Sequence, residues 1–259
     1  MNRLSVVIPA LNEVDNLEAV IGSVPVAELA AAGWETEIVV VDNASTDGTG
    51  DEARRLGARV VEQPNRGYGN AYMAGFAEVS GDVVITGDAD QTYPLDHAVA
   101  LVNHLIANNL DFITCNRLGR ENRDAMKPSH TVGNKVLSAI SRVLFGNPIQ
   151  DSQSGMWVFR RDVWATLDVR SSGMQFSQEI KNEAYASGAR CGEVAIEYRP
   201  RGGEVKLNAW KDGLRNLWQL FEHRFRVNRA PRLALEAART LEIIEIDSWA
   251  ASAASPVAS

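Results

Sequence analysis

The sequence predicts an α/β fold built on a mainly parallel, Rossmann-like sheet flanked by helices. Short β-branched runs bounded by turn residues recur through the first half of the chain, and they read as buried strands. Stretches with helical spacing lie between them, and this strict alternation is what a sheet with helices on its faces produces.

The first predicted strand covers residues 4–8 and is followed by a helix over 16–24. A strand at 37–41 precedes a helix over 46–56, one at 59–62 a helix over 70–79, and one at 83–86 a helix over 95–108. Pro94 stands at the start of that last helix, where a missing N–H costs nothing. Residues 111–115 form the fifth strand, after which the alternation lapses. Residues 117–127 are polar and charged, carry Gly119 and read as a mobile loop over a site. A helix over 131–145, a short strand at 157–159, a helix near 178–186 and a strand near 193–198 follow.

Residues 207–232 differ in character. Trp210, Leu214, Leu217, Trp218 and Phe221 recur at helical spacing beside Lys211, Arg215, Arg224, Arg226, Arg229 and Arg232, which predicts a basic amphipathic helix. Its apolar stripe is expected either to lie in a lipid headgroup region or to pack on the rest of the chain. Residues 233–259 are expected to be a C-terminal helix and a disordered tail.

Composition excludes several function classes. A hydrophobic share of 45% supports a sizeable core, while a net charge of -7 over 259 residues disfavours a nucleic-acid binder. An anionic substrate must therefore be met by local cations. Cys115 and Cys191 are far apart and lack a partner motif, so neither a disulfide nor a cysteine metal site is expected. The apolar run before Pro9 is too short for a signal peptide, and no window approaches the roughly eighteen apolar residues of a membrane span. A cytoplasmic location is expected, with any membrane contact peripheral. His97, His104, His130 and His223 lack metal-ligand spacing and read as surface or packing residues.

In open parallel sheets ligands bind beyond the carboxyl ends of the strands, so the loops there carry the chemistry. Asp88 and Asp90 follow the 83–86 strand one residue apart, the spacing with which two carboxylates in a solvent-facing loop bind a divalent cation that also holds a diphosphate. Asp42 ends an apolar run and is placed to accept from a nucleotide base, with Glu13 its neighbour across the crevice; Thr46 and Asp47 read as turn and cap residues. Gly67, Gly69 and Gly75 follow the third strand rather than the first, so they form no dinucleotide fingerprint and hydride transfer is disfavoured. They are expected to allow close approach to a ligand, or to serve only as loop. Arg201 and Lys206 flank a glycine pair and suit phosphate, one as a bidentate group and one as a point charge.

Taken in order, PALNE, VVDNASTDGT, GYGNAY, GDADQTYP, GNKVLSAISRVLFG, DSQSGMWVFRRDV, GMQFSQEI and EVAIEYRPRGGEVKL resemble the family 2 glycosyltransferases, within them the polyprenyl (dolichyl) phosphate mannose synthase-like branch, from about Leu4 to Phe221. The resemblance implies a GT-A catalytic domain over residues 1–206, with 207–232 and 233–259 appended. It implies that Pro9, Leu11 and Glu13 line the nucleotide, Val40 and Asp42 recognise the base, and Asp88 and Ala89 contact the ribose-diphosphate. Asp90 would ligate Mg or Mn. Arg117, Arg201 and Lys206 match positions that hold donor diphosphate or acceptor phosphate, and Glu179 falls near the acceptor. The implied reaction is inverting transfer from a GDP- or UDP-sugar to a polyprenyl phosphate at the inner membrane face, reached directly or through a membrane-protein partner. The sequence departs from the branch at Asn43, Gln91, Trp157 and Val205. A glycosyltransferase with a soluble acceptor and a silent nucleotide-sugar-binding subunit are the competing readings; the lipid-phosphate motifs weigh against the first and the intact charged set against the second.

Overall fold

Strand β1 (Asn2–Ala10) is buried from Leu4 to Ile8, and its alternating side chains feed two different cores. Val6 and Ile8 join one cluster while Val7 joins the other, which is why the run is apolar at every position but Ser5. The computed structural model describes residues 2–119, 122, 125–202, 209–226 and 243–245. Among these, eight strands form one sheet in the order β3-β2-β1-β4-β6-β5-β7-β8. β2 (Trp34–Asp42), β3 (Arg59–Glu62) and β4 (Val83–Thr86) extend β1 in parallel. β6 (Trp157–Arg160) runs antiparallel between β4 and β5 (Phe112–Asn116), and β7 (Cys191–Ala195) and β8 (Ile243–Glu245) continue in parallel beyond β5.

Helices α1 (Leu17–Gly22), α2 (Val26–Ala31), α3 (Thr49–Arg55) and α5 (Ala98–Ala107) cover one face, placing Leu17, Leu29, Ala53 and Leu101 over Val40, Ile85 and Val158. α4 (Tyr68–Glu78) and α8 (Phe176–Ala186) cover the other, where the core is aromatic. There Trp157 is fully buried, with Tyr72 and Phe176 at ring distances of 5.0 and 5.9 Å, and it lines neither of the cavities described below. A Cβ on Gly75 would stand 2.8 Å from Val7 and 2.9 Å from Val41, so that glycine sets how closely α4 lies on the sheet.

Several expectations are corrected. The helix predicted over 16–24 is α1, ending at Gly22, and a second short helix that the sequence pattern did not announce, α2, follows with Pro25 at its N-cap. The helix predicted from 95 opens with a 3₁₀ turn over Leu95–His97. α6 (Pro128–Phe145) starts at its proline, three residues earlier than predicted, and α7 (Arg161–Trp164) is a single turn. In the 117–127 segment, Arg117 and Asn122 are buried, and Asn122 Nδ2 donates to the carbonyls of Arg117 (2.9 Å) and Ile196 (2.8 Å), so these two positions are pinned rather than free. In the 233–259 stretch expected as helix and tail, the described residues form the edge strand β8, as the β-branched pair Ile243–Ile244 favours.

α9 (Ala209–Arg226) packs on α6 and α8 with its polar side inward. Asn216, Gln219 and His223 are buried with Leu220, whereas Leu214 and Trp218 are 66% and 73% exposed and Phe225 is 81% exposed. The inward side holds through paired polar groups: Gln178 Nε2 donates to Gln219 Oε1 (2.6 Å), His223 Nε2 pairs with Glu183 (2.6 Å), and Arg226 pairs with Glu179. The expected roles of Lys206, Arg229 and Arg232, and of the Trp210 and Lys211 side chains, lie outside the described residues.

Two tryptophans should therefore respond oppositely. Trp157→Ala opens a cavity in the aromatic core and should cost about 3–5 kcal/mol in urea denaturation, while Trp218→Ala should stay within about 0.5 kcal/mol.

Candidate active site

The carboxyl ends of β1, β2 and β4 bring three loops to one sheet edge. Asn12 and Ala44 take left-handed conformations, at φ 53° and 61°, which turn the first two loops toward each other. Asn12 Oδ1 accepts from the Thr46 amide (2.8 Å), Ser45 Oγ from the Asn12 amide (3.0 Å) and Thr49 Oγ1 from the Glu13 amide (2.9 Å). Asp47 accepts from the amides of Thr49 and Val14, so it serves both as a turn residue and as a clasp. Asn43 straps the β3–α4 loop to this edge. Its Oδ1 accepts from the Gly67 amide (2.7 Å) and its Nδ2 donates to the carbonyls of Gln63 (3.1 Å) and Asn65 (2.8 Å). A carboxylate here would have no donor for those carbonyls, which gives this departure from the family pattern a structural reason.

Between these loops lies a cavity of about 370 Å³. Of the residues singled out in the sequence, Pro9, Leu11, Glu13, Asn43, Gly67, Asp88, Ala89, Asp90, Arg117, Arg201 and Arg215 line it. Val40 does not: it is fully buried in the core opposite Ile8. Asp42 is also set back, its Oδ1 accepting from the Ser45 amide (2.9 Å) and its Oδ2 against Gly50. Glu179 lies in a separate depression between α8 and α9, its carboxylate accepting from the amides of Arg170 (3.1 Å) and Ser171 (2.7 Å) and pairing with Arg226. Gly67 and Gly69 do permit close approach, but to protein: a Cβ on either would collide with the carbonyls of Ser172 and Ser171, which lie against the start of α4.

The acidic pair is less open than expected. Asp90 is only 3% exposed; its Oδ1 accepts from the amide (3.1 Å) and hydroxyl (2.6 Å) of Thr92, and its Oδ2 lies 2.6 Å from the Arg201 guanidinium. Asp88 accepts from Tyr68 Oη at 3.0 Å. Burial, then the neighbouring Asp90 charge, push the Asp88 carboxyl up to about 7. Burial first and Asp88 second hold Tyr68 and Tyr72 well above the ordinary phenol range, so both remain donors. Among the described residues no cluster of three or more acidic, histidine or cysteine side chains could hold a metal alone. The pair nevertheless fits a hard divalent cation in donor chemistry. Asp90 is paired with a guanidinium and Asp88 with a phenol, both carboxylates line the cavity, and a diphosphate can complete an oxygen shell.

Arg117 reaches the cavity already paired. Its Nε and Nη2 donate to Asp151 at 2.8 and 3.1 Å, and its guanidinium lies 5.2 Å from the Tyr198 ring centre. Burial opposes the charge, but Asp151 raises the guanidinium well above its ordinary value. Behind this pair Lys181 Nζ donates to the Asp151 carbonyl (2.7 Å), and Glu193 accepts from the Gln150 (3.0 Å) and Asp151 (2.9 Å) amides. Burial brings Lys181 down to about 7 and Glu193 up to about 7. Asp151 sits in a motif that counts by its order along the chain, and Lys181 falls within the helix predicted near 178–186; neither carries a local signal for this role.

A second cavity of about 310 Å³ adjoins the first and shares Arg117, Gln153, Met174, Tyr198 and Arg201 with it. α6 and α9 supply its other walls, including Leu137 and Asn216, with Met126, Lys127 and His130 at its rim.

The fold is that of a glycosyltransferase of the GT-A type. The chain belongs to glycosyl transferase family 2, whose profile matches residues 5–167. It is 39% identical over 216 residues to the low-salt glycan biosynthesis hexosyltransferase Agl6 of Haloferax volcanii, covering 83% of this chain but 52% of Agl6, so it spans about half the length of that relative. It is 32% identical over 211 residues to the dolichyl-phosphate hexose transferase of Haloferax volcanii, covering 81% of this chain and 89% of that protein. The fold also matches glucosyl-3-phosphoglycerate synthase from Mycobacterium tuberculosis, solved with UDP, at a TM-score of 0.67 and 23% identity, over 86% of this chain and 80% of the synthase.

Removing one partner of a buried ion pair leaves the other charge uncompensated. Asp151→Asn should therefore cost about 3–5 kcal/mol in chemical denaturation, and adding Arg117→Met should recover most of that loss.

Proposed function

We propose that this chain transfers a hexose from a GDP- or UDP-sugar to a polyprenyl phosphate by a single inverting displacement at a membrane surface. The observation that carries the reading is the pair of joined cavities with Arg201 in both walls and bonded to Asp90. The first suits a nucleoside diphosphate; the second, with basic groups beside Met126, Leu137 and Met174, suits a phosphate bearing an apolar chain. Gly133 and Gly213 support this. Both are helical, each costs about 1 kcal/mol relative to alanine, and neither has an atom within 4 Å of where a Cβ would stand. No packing demands them, and they widen the second cavity where α6 and α9 meet it. The dolichyl-phosphate hexose transferase similarity points to the same acceptor class.

Asp88 and Asp90 would hold Mg or Mn, which when bound offsets the charge of the departing diphosphate. Arg201 adds a preformed positive charge there, and Lys206 is assigned to the same phosphate-directed strip. Pro9, Leu11, Glu13 and Ala89 form the donor walls, while Val40 and Asp42 act from behind, fixing the strand and loop under the base. Glu179 is assigned a positioning role, because its carboxylate is committed to Arg226 and the 170–171 backbone. A phosphate acceptor is anionic at neutral pH and needs placement more than a base.

No described helix is long and apolar enough to cross a membrane. The outer faces of α6 and α9 instead expose Val132, Val136 and Val143, and Leu214, Trp218 and Phe225. Arg224 and Arg215, the latter also lining the first cavity, neighbour the α9 stripe in sequence, and such a surface fits the headgroup region of a cytoplasmic leaflet.

The reading is tested by incubating the protein with metal, polyprenyl phosphate and a panel of nucleotide sugars, with mass analysis of the lipid. Asp90→Asn keeps the Thr92 hydrogen bonds but loses the charge and the Arg201 ion pair; turnover on the productive pair should fall about a hundredfold or more, while the protein still unfolds cooperatively at a somewhat lower melting temperature. Unchanged turnover would remove the metal assignment. Vesicle co-sedimentation supplies a separate test: Trp218→Ala with Phe225→Ala should weaken binding to anionic vesicles about tenfold or more, and high salt should weaken it further.

A further inference from the structure

Asn216, on α9, is 7% exposed and lines the second cavity. Its Nδ2 donates to Gln153 Oε1 at 2.8 Å, but its Oδ1 has no hydrogen-bond partner among the described residues. The amide is not free to turn. Gln153 Nε2 donates to Gln178 Oε1 (2.9 Å), and Gln178 Nε2 donates to Gln219 Oε1 (2.6 Å) and to the Asn216 carbonyl (2.7 Å). Reversing Asn216 would set two acceptor oxygens against each other and force the next amides to reverse in turn. This relay leaves the Oδ1 of a cavity-lining side chain waiting for a donor. A buried acceptor without one costs about 1–3 kcal/mol, so the cavity's occupant is the natural source.

The surrounding charges select the donor. Arg117 and Arg201 both face this cavity, yet each is already paired, with Asp151 and Asp90. Lys127 and His130 are the remaining basic groups among its described lining residues. Among the described lining residues, then, unpaired positive charge comes from Lys127 and His130 alone, which suits a phosphate monoanion that keeps its P–OH better than a dianion. The second ionisation of a phosphate monoester lies near about pH 6, so this form is accessible.

Resting on the lipid-phosphate reading, we propose that Asn216 is a specificity-determining residue that accepts a hydrogen bond from the P–OH of the monoprotonated acceptor phosphate. The acceptor's anionic oxygen forms the new bond to the sugar carbon as the bond from that carbon to the nucleoside diphosphate oxygen breaks. The product is a phosphodiester, a far stronger acid, and its P–OH proton passes to solvent. The contact to Asn216 is then lost, so the residue holds the substrate and releases the product.

The test is a cycle between residue and ligand. Farnesyl phosphate and farnesyl fluorophosphate, in which fluorine replaces the P–OH, are titrated near pH 6 into the wild-type chain and Asn216→Leu, with nucleoside diphosphate and metal present. The wild type should prefer the phosphate about tenfold, and Asn216→Leu should bind the two alike. Gln178→Leu, which frees the amide to turn while lining neither cavity, should also lose most of the preference. General damage to the fold lowers both affinities together and leaves their ratio unchanged. The same ratio in wild type and Asn216→Leu would overturn the inference alone. Wild-type protein that binds neither ligand would overturn the lipid-phosphate reading and the inference with it.

Discussion

Asp88 and Asp90, one residue apart at the end of a buried strand, cannot both stay ionised at close range unless positive charge stands near them. The surrounding architecture follows from that constraint. Arg201 is drawn onto Asp90, and two tyrosines are turned toward Asp88. The chain then leaves the pair through Gln91 in a left-handed conformation, at φ 66°, whose Nε2 donates to Asn16 Oδ1 at 2.9 Å. Asn16 in turn donates to Glu13 (2.7 Å) and to the Gly202 carbonyl (3.2 Å). Strain at Gln91 is thus held by bonds joining the acidic loop, the first loop and the Arg201 strip, which makes the three one unit. Gly202 is required in that unit, since a Cβ there would meet Asn16 Oδ1 at 2.5 Å.

The second organising feature is the amount of polar chemistry buried on the α8 side. Asp151, Lys181, Glu193 and Arg117 neutralise one another behind the cavity wall, and the Gln178 relay and the Glu183–His223 pair dock α9. Groups of this kind add less stability than apolar packing of the same volume, but they tolerate only one arrangement. That suits a wall that must hold two guanidiniums and one amide oxygen in fixed positions. It also leaves the apolar side of α9 outward, the reverse of an ordinary surface helix.

What the sequence made legible was local. A parallel strand buried on both faces needs a continuous apolar run, so β1, β2, β4 and β5 announce themselves, and the acidic pair and the glycine-flanked arginine stand out by residue type. Contacts between distant parts of the chain were not legible. Nothing in WVFR says that β6 runs antiparallel, because direction is fixed by neighbours far away in the sequence. The spacing of Leu214 and Trp218 revealed an amphipathic α9 but not which side packs, since that depends on amides at 153 and 178. Asn43 was visible as a departure, yet its strap role needed the carbonyls of Gln63 and Asn65 in place. Glu179 and Val40 sat at positions the resemblance favoured, while the fold set the first against Arg226 and the second in the core.

With two carboxylates, one of them paired with a guanidinium, the acidic pair should accept a cation only together with a diphosphate. Calorimetric titration of GDP and of UDP into the chain, with and without Mn²⁺ or Mg²⁺, measures that coupling directly. At least one nucleotide should bind about tenfold or more tightly with metal, and metal alone should bind weakly, since two carboxylates leave most of an oxygen shell to be filled. Equal nucleotide affinity with and without metal, for both bases, would contradict the account.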